Sequence, residues 1–287
     1  MIKSYAKINF ILKILDRRED GYHNLFSLFQ RIDLWDGLFF EPFKKGIVLE
    51  SNVSDLPLDQ TNLVYRAAEL LLKKTNKNKG LKVVIQKNIP IGAGLGGGSS
   101  NAAATLLELN RIWNLNYSFE ELAKMGESLG SDVPFFCYRL STAWVSGRGE
   151  RVAPSSFSPG CWILLVFPGF SIQTREAYRL LDLSRQGNNM GLTKKGNNNT
   201  ISSFQTLNKG SFLDHLENDF ESALFPQYPV YQEIKARLFE LRAEKVLLSG
   251  SGSTLFGVFQ EEREARCAEE ILKKEFQRGF VRAVRCL

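Results

Sequence analysis

The run Pro90-Ile91-Gly92-Ala93-Gly94-Leu95-Gly96-Gly97-Gly98-Ser99-Ser100 decides how this sequence is interpreted. It follows an apolar stretch, residues 80–89, that has the alternation of a strand, and it precedes residues 101–113, which have the apolar spacing of a helix. Glycines lack a Cβ, so backbone N–H groups can approach a ligand closely, and the helix start adds a partial positive charge. The run therefore predicts a loop that binds a di- or triphosphate.

Two simpler interpretations of this glycine run stay open at this point. A flexible connector would also be rich in glycine, and Gly92-x-Gly94-x-x-Gly97 formally satisfies the dinucleotide fingerprint G-x-G-x-x-G. The Walker pattern is absent from the run, because no Gly-Lys-Ser/Thr closes it. Ser99 and Ser100 could offer hydroxyls to a phosphate or to a bridging Mg²⁺, or they could cap the helix.

Length and charge limit the classes of protein to which this sequence can belong. The chain has 287 residues, 44% hydrophobic and 24% charged, which predicts two ordinary globular domains, residues 1–153 and 154–287. The net charge is +6 and the pI about 9.1, but the basic residues are scattered. A nucleic-acid-binding protein would concentrate them on one face, so we expect no nucleic-acid partner.

Cysteine usage and hydropathy indicate a reduced, cytoplasmic protein. The four cysteines include no C-x-x-C pair and only two histidines accompany them, so neither a zinc site nor a disulfide framework is expected. No apolar run approaches the roughly 18 residues of a membrane helix, and no leader cleavage site follows the short apolar stretch at residues 8–15. We therefore expect no membrane association.

The remaining periodicities predict an α+β fold, because strands and helices mix without strict alternation. The predicted strands are residues 3–15, 25–41, 80–89, 161–166 and 280–285, with a strand-rich stretch at 142–152 and a hairpin at 245–259. The predicted helices are residues 62–74, capped by Asn62, then 101–113, 119–129, 213–224, 230–241 and 261–274. Residues 186–209 are polar and predict a mobile loop, and the domain boundary is placed near residues 154–160.

Five stretches of the sequence resemble motifs of the GHMP kinases. The glycine run resembles the second motif of that superfamily, and Ser249–Phe256 resembles its third, although alone it could be a plain turn. Gly130–Phe136 is similar to the segment that holds the catalytic aspartate. Ala6–Phe10 and Asp20–His23 resemble the GHMP kinases that act on a cytidine diphosphate ester of methylerythritol. The resemblance implies a two-domain fold, with a ribosomal-protein-S5-like ATP domain and an α/β-plait-like C-terminal domain.

The same resemblance implies the catalytic groups. Asp132 matches the general base that takes the proton of the acceptor hydroxyl, and Lys7 would lie beside it. A cation there favours the ionised carboxylate and stabilises the hydroxyl oxygen as its proton leaves. Without the flanking motif, Asp132 would be read as a helix cap or a turn aspartate.

The resemblance also implies the ligands, namely ATP with Mg²⁺ and, as acceptor, the 2-hydroxyl of the cytidine diphosphate ester. Tyr22 would stack on the pyrimidine while His23 hydrogen-bonds its edge, and Tyr178 would cover the other face, although Tyr178 could instead be a core aromatic. Asn9, two residues after Lys7 and so on the same face of a strand, could share the acceptor site. Residues predicted on the adenine side are Asn62, Leu63 and Lys87.

Several alternatives stay open from the sequence. Another GHMP kinase with a mevalonate-like acceptor would lack the Asp20–His23 motif, and a non-catalytic homologue would lose the acid or the lysine. No protein ligand of a metal is assigned, since Mg²⁺ keeps several waters and needs few protein ligands. Both a monomer and a homodimer are compatible with the sequence.

Overall fold

Two long N-terminal strands form the base of the fold. The structure, a computed structural model, describes residues 1–75, 80–187 and 212–287. Strands β1 (Ile2–Arg17) and β2 (His23–Phe43) pair antiparallel around a turn at Gly21, whose φ of +84° suits glycine. Both predicted strands are confirmed and both are longer than predicted.

The length of β2 lets one strand edge serve two partners. Along the edge away from β1, residues Leu25–Gln30 pair with β5 (Thr142–Gly147) and residues Gly37–Phe43 pair with β4 (Gly80–Gln86). Strand β3 (Ile47–Ser51) extends the sheet beyond β4, and β6 (Arg151–Pro154) extends it beyond β5. The sequence analysis missed β3.

Four helices accompany this first sheet. They are α1 (Leu63–Thr75), α2 (Gly97–Ile112), α3 (Phe119–Gly126) and α4 (Val133–Cys137). Three of them pack against strands of the sheet, whereas α3 packs against α2 and α4. The predicted cap of α1 is confirmed, because the Asn62 side chain accepts a hydrogen bond of 2.9 Å from the Val64 N–H. Helix α2 begins at Gly97, four residues before the predicted start, and α4 was not predicted.

The second sheet contains four antiparallel strands. Its strands are β7 (Trp162–Phe167), β9 (Lys245–Leu248), β10 (Leu255–Phe259) and β11 (Phe280–Arg285), in the order β11-β7-β10-β9. The predicted hairpin and terminal strand are thus confirmed. The accompanying helices are α5 (Thr174–Gly187), α6 (Glu221–Leu224), α7 (Val230–Glu240) and α8 (Glu262–Glu275).

The predicted helix over residues 213–224 is wrong. A 3₁₀ turn (Phe212–His215), a short strand β8 (Glu217–Asn218) and α6 occupy that stretch instead. Strand β8 pairs in parallel with β1 at Ile11 and Leu12, so partners far away in the sequence override the local helical spacing. Of the loop predicted at residues 186–209, residues 188–209 lie outside the described residues, while 186 and 187 end α5.

Side chains from both sheets share one apolar cluster, which fixes how the sheets meet. Ile8 and Phe10 of β1 lie in it with Ile163 of β7 and Phe256 of β10. Near the chain end, a backbone bridge joins Ile32 to Cys286. The mixed architecture confirms the α+β class. Each helix within the described ranges is too short or too polar to span a bilayer.

Candidate active site

A cleft of about 1160 Å³ opens where β1, the glycine run and α5 come together. Its walls include Lys7 and Asn9 from β1, Gly94, Gly96 and Ser99 from the glycine run, and Asp132 from the segment before α4. Tyr22, His23 and Tyr178 line it as well. Residues predicted to be catalytic, phosphate-binding and acceptor-binding are therefore brought to one cavity.

The glycine run folds as a tight loop that ends at the start of α2. Gly92, Gly94 and Gly96 have φ values of +66°, +76° and +69°, a region that other residues adopt at a cost. Gly96 is the N-cap and offers no side chain, and the first backbone bond of the helix is Ser100 N–H to Gly96 O at 2.9 Å. The N–H groups of the preceding residues have no partner within the helix, as in an anion-binding helix start.

The two serines after the glycines face different environments. Ser99 lines the cleft, whereas Ser100 is only 3% exposed and its hydroxyl accepts a 2.7 Å hydrogen bond from Ser4. Because α2 already begins at Gly97, neither serine is the N-cap, and that alternative from the sequence is wrong. Of the two hydroxyls, the one of Ser99 lies at the cleft.

The C-terminal glycine-rich stretch, Ser249–Phe256, forms hydrogen bonds to the glycine run. The Ser249 hydroxyl donates to the carbonyl oxygen of Gly94 at 3.0 Å, and the Thr254 N–H donates to that of Ala93 at 3.3 Å. A Cβ on Gly94 would lie 2.2 Å from the Ser249 carbonyl oxygen. This contact excludes a plain isolated turn and explains why position 94 must be glycine.

Lys7 and Asp132 form an ion pair at the wall of the cleft. The Lys7 Nζ lies 3.4 Å from Asp132 Oδ2 and 2.7 Å from Asn9 Oδ1, and Lys7 is 3% exposed. The ammonium also sits 4.4 Å from the centre of the Phe29 ring, and the Asn9 amide donates to the Ser27 hydroxyl. The position of the ammonium is thus fixed from several directions.

Asp132 keeps its carboxylate available to the cleft. It stands at the N-cap position of α4, yet its side chain makes no cap hydrogen bond. Its side chain is 28% exposed. The helix-cap interpretation left open by the sequence therefore does not describe this residue.

The residues predicted on the adenine side lie near the start of α2, outside the lining of the cleft. Leu63 lies against Gly98, beside the start of α2. Both polar atoms of the Asn62 amide are engaged: Oδ1 accepts from the Val64 N–H, and Nδ2 donates to the Pro57 carbonyl oxygen. Lys87 is buried in an ion pair with Asp36, beneath the first turn of α2, so its ammonium does not line the cleft.

The far end of the cleft holds the aromatic residues. Tyr22 is 58% exposed with the guanidinium of Arg148 5.1 Å from its ring centre. His23 stacks on Tyr178 at 4.9 Å, and its Nε2 lies 2.9 Å from Asp182 Oδ1. Burial raises the pKa of Tyr178 to about 12, so its phenol stays neutral.

Sequence reasoning missed Asp182 and Arg148. Asp182 follows Tyr178 by four residues in α5, a spacing that places both on one helix face and could have revealed it. The sandwich predicted between Tyr22 and Tyr178 is not preformed, since Tyr178 faces the imidazole of His23 and also meets the edge of Phe220. No group of three or more potential metal-binding side chains occurs within residues 1–75, 80–187 and 212–287.

Two family models and several curated relatives match the chain. The family model of the GHMP kinases N terminal domain matches residues 62–139, and that of the GHMP kinases C terminal matches residues 194–278. The 4-diphosphocytidyl-2-C-methyl-D-erythritol kinase of Syntrophus aciditrophicus is 42% identical over 273 residues, covering 95% of this chain and 94% of its own. The enzyme of the same description from Thermodesulfovibrio yellowstonii is 44% identical over 270 residues, covering 93% and 92%.

A solved structure supports the same grouping. The crystal structure of a 4-(cytidine 5'-diphospho)-2C-methyl-D-erythritol kinase superposes with a TM-score of 0.79 at 31% identity. The match covers 99% of this chain and 98% of the other. The overall architecture described above is therefore shared with that enzyme along nearly the whole chain.

Proposed function

The chain belongs to the 4-diphosphocytidyl-2-C-methyl-D-erythritol kinases of the GHMP kinase superfamily, and on that premise we propose that it transfers the γ-phosphate of ATP to the 2-hydroxyl of 4-diphosphocytidyl-2-C-methyl-D-erythritol. This reaction serves the non-mevalonate route to isoprenoids. One observation carries the proposal: the Lys7–Asp132 pair and the open start of α2 line the same cleft.

Asp132 acts as the general base in this proposal. Phosphoryl transfer passes through a loose transition state, so positioning and charge stabilisation supply most of the catalysis. Asp132 accepts the proton of the acceptor hydroxyl. Lys7, held 2.7 Å from Asn9, stabilises the negative charge that grows on the hydroxyl oxygen.

The start of α2 holds the phosphates of ATP. Glycines at 94 and 96 leave room for close backbone approach, and the free N–H groups before Ser100 can donate to phosphate oxygens. The Ser99 hydroxyl at the cleft would help to hold Mg²⁺ on the phosphates, and the ion would supply neutralisation of the negative charge on the transferred group. The adenine side would be bounded by Leu63, which lies against Gly98.

The aromatic end of the cleft recognises the cytidine. Tyr22 supplies an exposed ring for stacking on the pyrimidine. If the His23 Nε2 donates its proton to Asp182, the Nδ1 lone pair is free to accept a hydrogen bond from the exocyclic amine of cytosine. Tyr178 holds the imidazole of His23 in place by stacking on it. In this role Tyr178 does not stack on the cytosine itself.

Other aspects of the proposal follow from composition. The partner is a small molecule rather than a nucleic acid, because the basic residues are dispersed. Cysteines at positions 137, 161, 267 and 286 are free thiols, which favours a reducing cytoplasmic location.

A coupled ADP-release assay tests this proposal. Purified protein with Mg·ATP is given the cytidylyl acceptor, mevalonate, phosphomevalonate, galactose or homoserine in parallel, with Asp132→Asn as the background control. We expect turnover with the cytidylyl acceptor alone. Turnover with mevalonate or another acceptor instead would overturn the acceptor assignment, and no turnover with any acceptor would favour a non-catalytic homologue.

A further inference from the structure

A second pocket, which we call the Arg31 pocket, lies behind the first turns of α2. Its volume is about 520 Å³, within the range of sites for small organic ligands. Its lining comes from the beginning of β1, the middle of β2, the outer face of α2 and the end of α4. The lining includes Tyr5, Arg31, Ser100, Phe119, Phe136 and Arg139.

The charge of the Arg31 pocket is strongly positive. Its lining contains Lys3, Arg31, Arg111 and Arg139 against one carboxylate, Glu108. That carboxylate is already engaged by Arg111 in a bidentate pair at 2.6 and 2.9 Å. Neither Arg31 nor Arg139 forms an ion pair with a carboxylate anywhere in the described ranges. Two guanidiniums thus share one cavity without a counter-charge.

In the part of the chain that the structure describes, Arg31 has neither a full set of hydrogen bonds nor a neighbouring anion. Its Nε is buried and has no hydrogen-bond partner among the described residues. Burial lowers the pKa of Arg31 below its ordinary value, and the charge of Arg139 acts in the same direction. The face of the Tyr5 ring, 5.3 Å away, offers a cation–π contact but no full charge. A half-buried guanidinium that has an unpartnered N–H and no neighbouring anion is costly.

Arg139, an exposed residue of the pocket lining, has an unusual backbone conformation. It follows the end of α4 with φ of +58°, a left-handed position that glycine normally fills at a helix end. A residue with a side chain is strained there, and such strain concentrates at functional positions. This second observation, independent of the charge count, points to the same cavity.

The Arg31 pocket touches the phosphate loop from another side. Ser100 lines the pocket while its neighbour Ser99 lines the cleft. The ring of Phe136, also in the pocket lining, lies directly against Gly96 at the N-cap of α2. A molecule in the pocket would therefore contact the elements that set the position of the phosphate-binding N–H groups.

We propose that the Arg31 pocket binds a small phosphate ester, with its phosphate between Arg31 and Arg139 and its organic group against Tyr5, Phe119 and Phe136. Guanidinium forks suit phosphate oxygens, and the aromatic residues suit an apolar substituent. Occupation changes the affinity of the glycine loop for nucleotide through α2. This is a site separate from the cleft, and it does not rest on the acceptor assigned above.

Calorimetric titration of phenyl phosphate tests the proposal, with the cleft occupied by saturating Mg²⁺ and a non-hydrolysable ATP analogue. We expect one binding event that weakens about tenfold or more in Arg139→Ala, the loss of a charge-assisted bond, and is partly restored in Arg139→Lys. Arg148→Ala is the matched control, because it removes an arginine from the cleft instead. Turnover of Arg139→Ala without the probe should equal that of the wild type.

The alternative outcomes are distinct. Loss of binding in Arg148→Ala, with Arg139→Ala unchanged, would place the probe in the cleft and overturn the site. Inorganic phosphate binding as tightly as phenyl phosphate would overturn the role of the aromatic wall and leave free phosphate as the ligand. An affinity for the ATP analogue that is the same with and without phenyl phosphate would overturn the coupling. Each readout is a binding measurement, so it is independent of whether the proposed reaction is correct.

Discussion

The two ends of the cleft differ in how much of their geometry exists before any ligand binds. At the reaction end, defined by Lys7, Asp132 and the glycine loop, the ammonium is 3% exposed and held by Asn9. At the recognition end, defined by Tyr22, His23 and Tyr178, the Tyr22 ring is 58% exposed. The catalytic lysine thus lies on a buried strand, whereas the stacking ring of Tyr22 lies in the turn before β2.

The difference arises from the elements that carry each end. Lys7 and Asn9 project from one face of a buried strand. The glycine loop is held by the Ser249 hydroxyl, which donates a hydrogen bond to the Gly94 carbonyl oxygen. Tyr22 instead follows the turn at Gly21, outside regular structure. Preorganised groups act on the transition state, whereas an exposed stacking ring contributes about equally to ground-state and transition-state binding.

Asp132→Asn should give the largest loss of activity, and it should affect the reaction end without affecting the recognition end. We expect kcat to fall by about 10²- to 10⁴-fold, because the amide cannot accept the hydroxyl proton. Affinity for a non-hydrolysable ATP analogue should stay near the wild-type value in calorimetry. Turnover at the wild-type rate would remove Asp132 from the mechanism.

Lys87→Met tests whether the support beneath the reaction end is structural. The substitution leaves Asp36 buried and unpaired, so the free energy of unfolding in urea should drop by about 3–5 kcal/mol. The control Lys82→Met removes a solvent-accessible pair with Glu50 and should leave the free energy of unfolding close to the wild-type value. Unchanged stability together with a raised KM for ATP would return Lys87 to the nucleotide site.

Asp182→Asn tests whether Asp182 positions His23 at the recognition end. The neutral amide no longer holds His23 by a charged acceptor, so the KM for the cytidylyl acceptor should rise about tenfold with little change in kcat. Asp214→Asn changes an exposed aspartate elsewhere and serves as the control. A fall in kcat with constant KM would place Asp182 in the chemical step instead.

Tyr22→Ala should have the smallest effect of the four. Losing an exposed stacking ring should raise the acceptor KM about fivefold, near the low end for base–aromatic stacking. Tyr22→Phe retains the ring and should behave like the wild type. Equal KM values for the alanine and wild-type enzymes would exclude stacking by this residue.

The sequence predicted the reaction end better than the recognition end. The glycine run, Lys7 and Asp132 belong to contiguous motifs, and the structure brings them into one cleft. The phosphate loop could be predicted because glycine content and a following helix are local properties. Ser100 could not be separated from Ser99 by sequence, since only the fold shows that Ser4 binds its hydroxyl.

The misses arise from contacts distant in sequence. Asp182 meets His23 across 159 positions, which no local pattern encodes. The ion pair of Lys87 with Asp36 is another such contact, because it depends on the pairing of β2 with β4; the predicted role of Lys87 at the nucleotide stays a prediction. Strand β8 replaced a predicted helix because β1 offered it a parallel partner.

A double-mutant cycle of Asp132→Asn with Tyr22→Ala tests the separation of the two ends most directly. Single-turnover reactions, quenched and analysed for ADP by chromatography, would give kcat/KM for the wild type, both single variants and the double variant. The account predicts that the two losses multiply, because the residues serve different steps without shared partners. A double variant no worse than Asp132→Asn alone would contradict it, since stacking would then act only through the catalytic base.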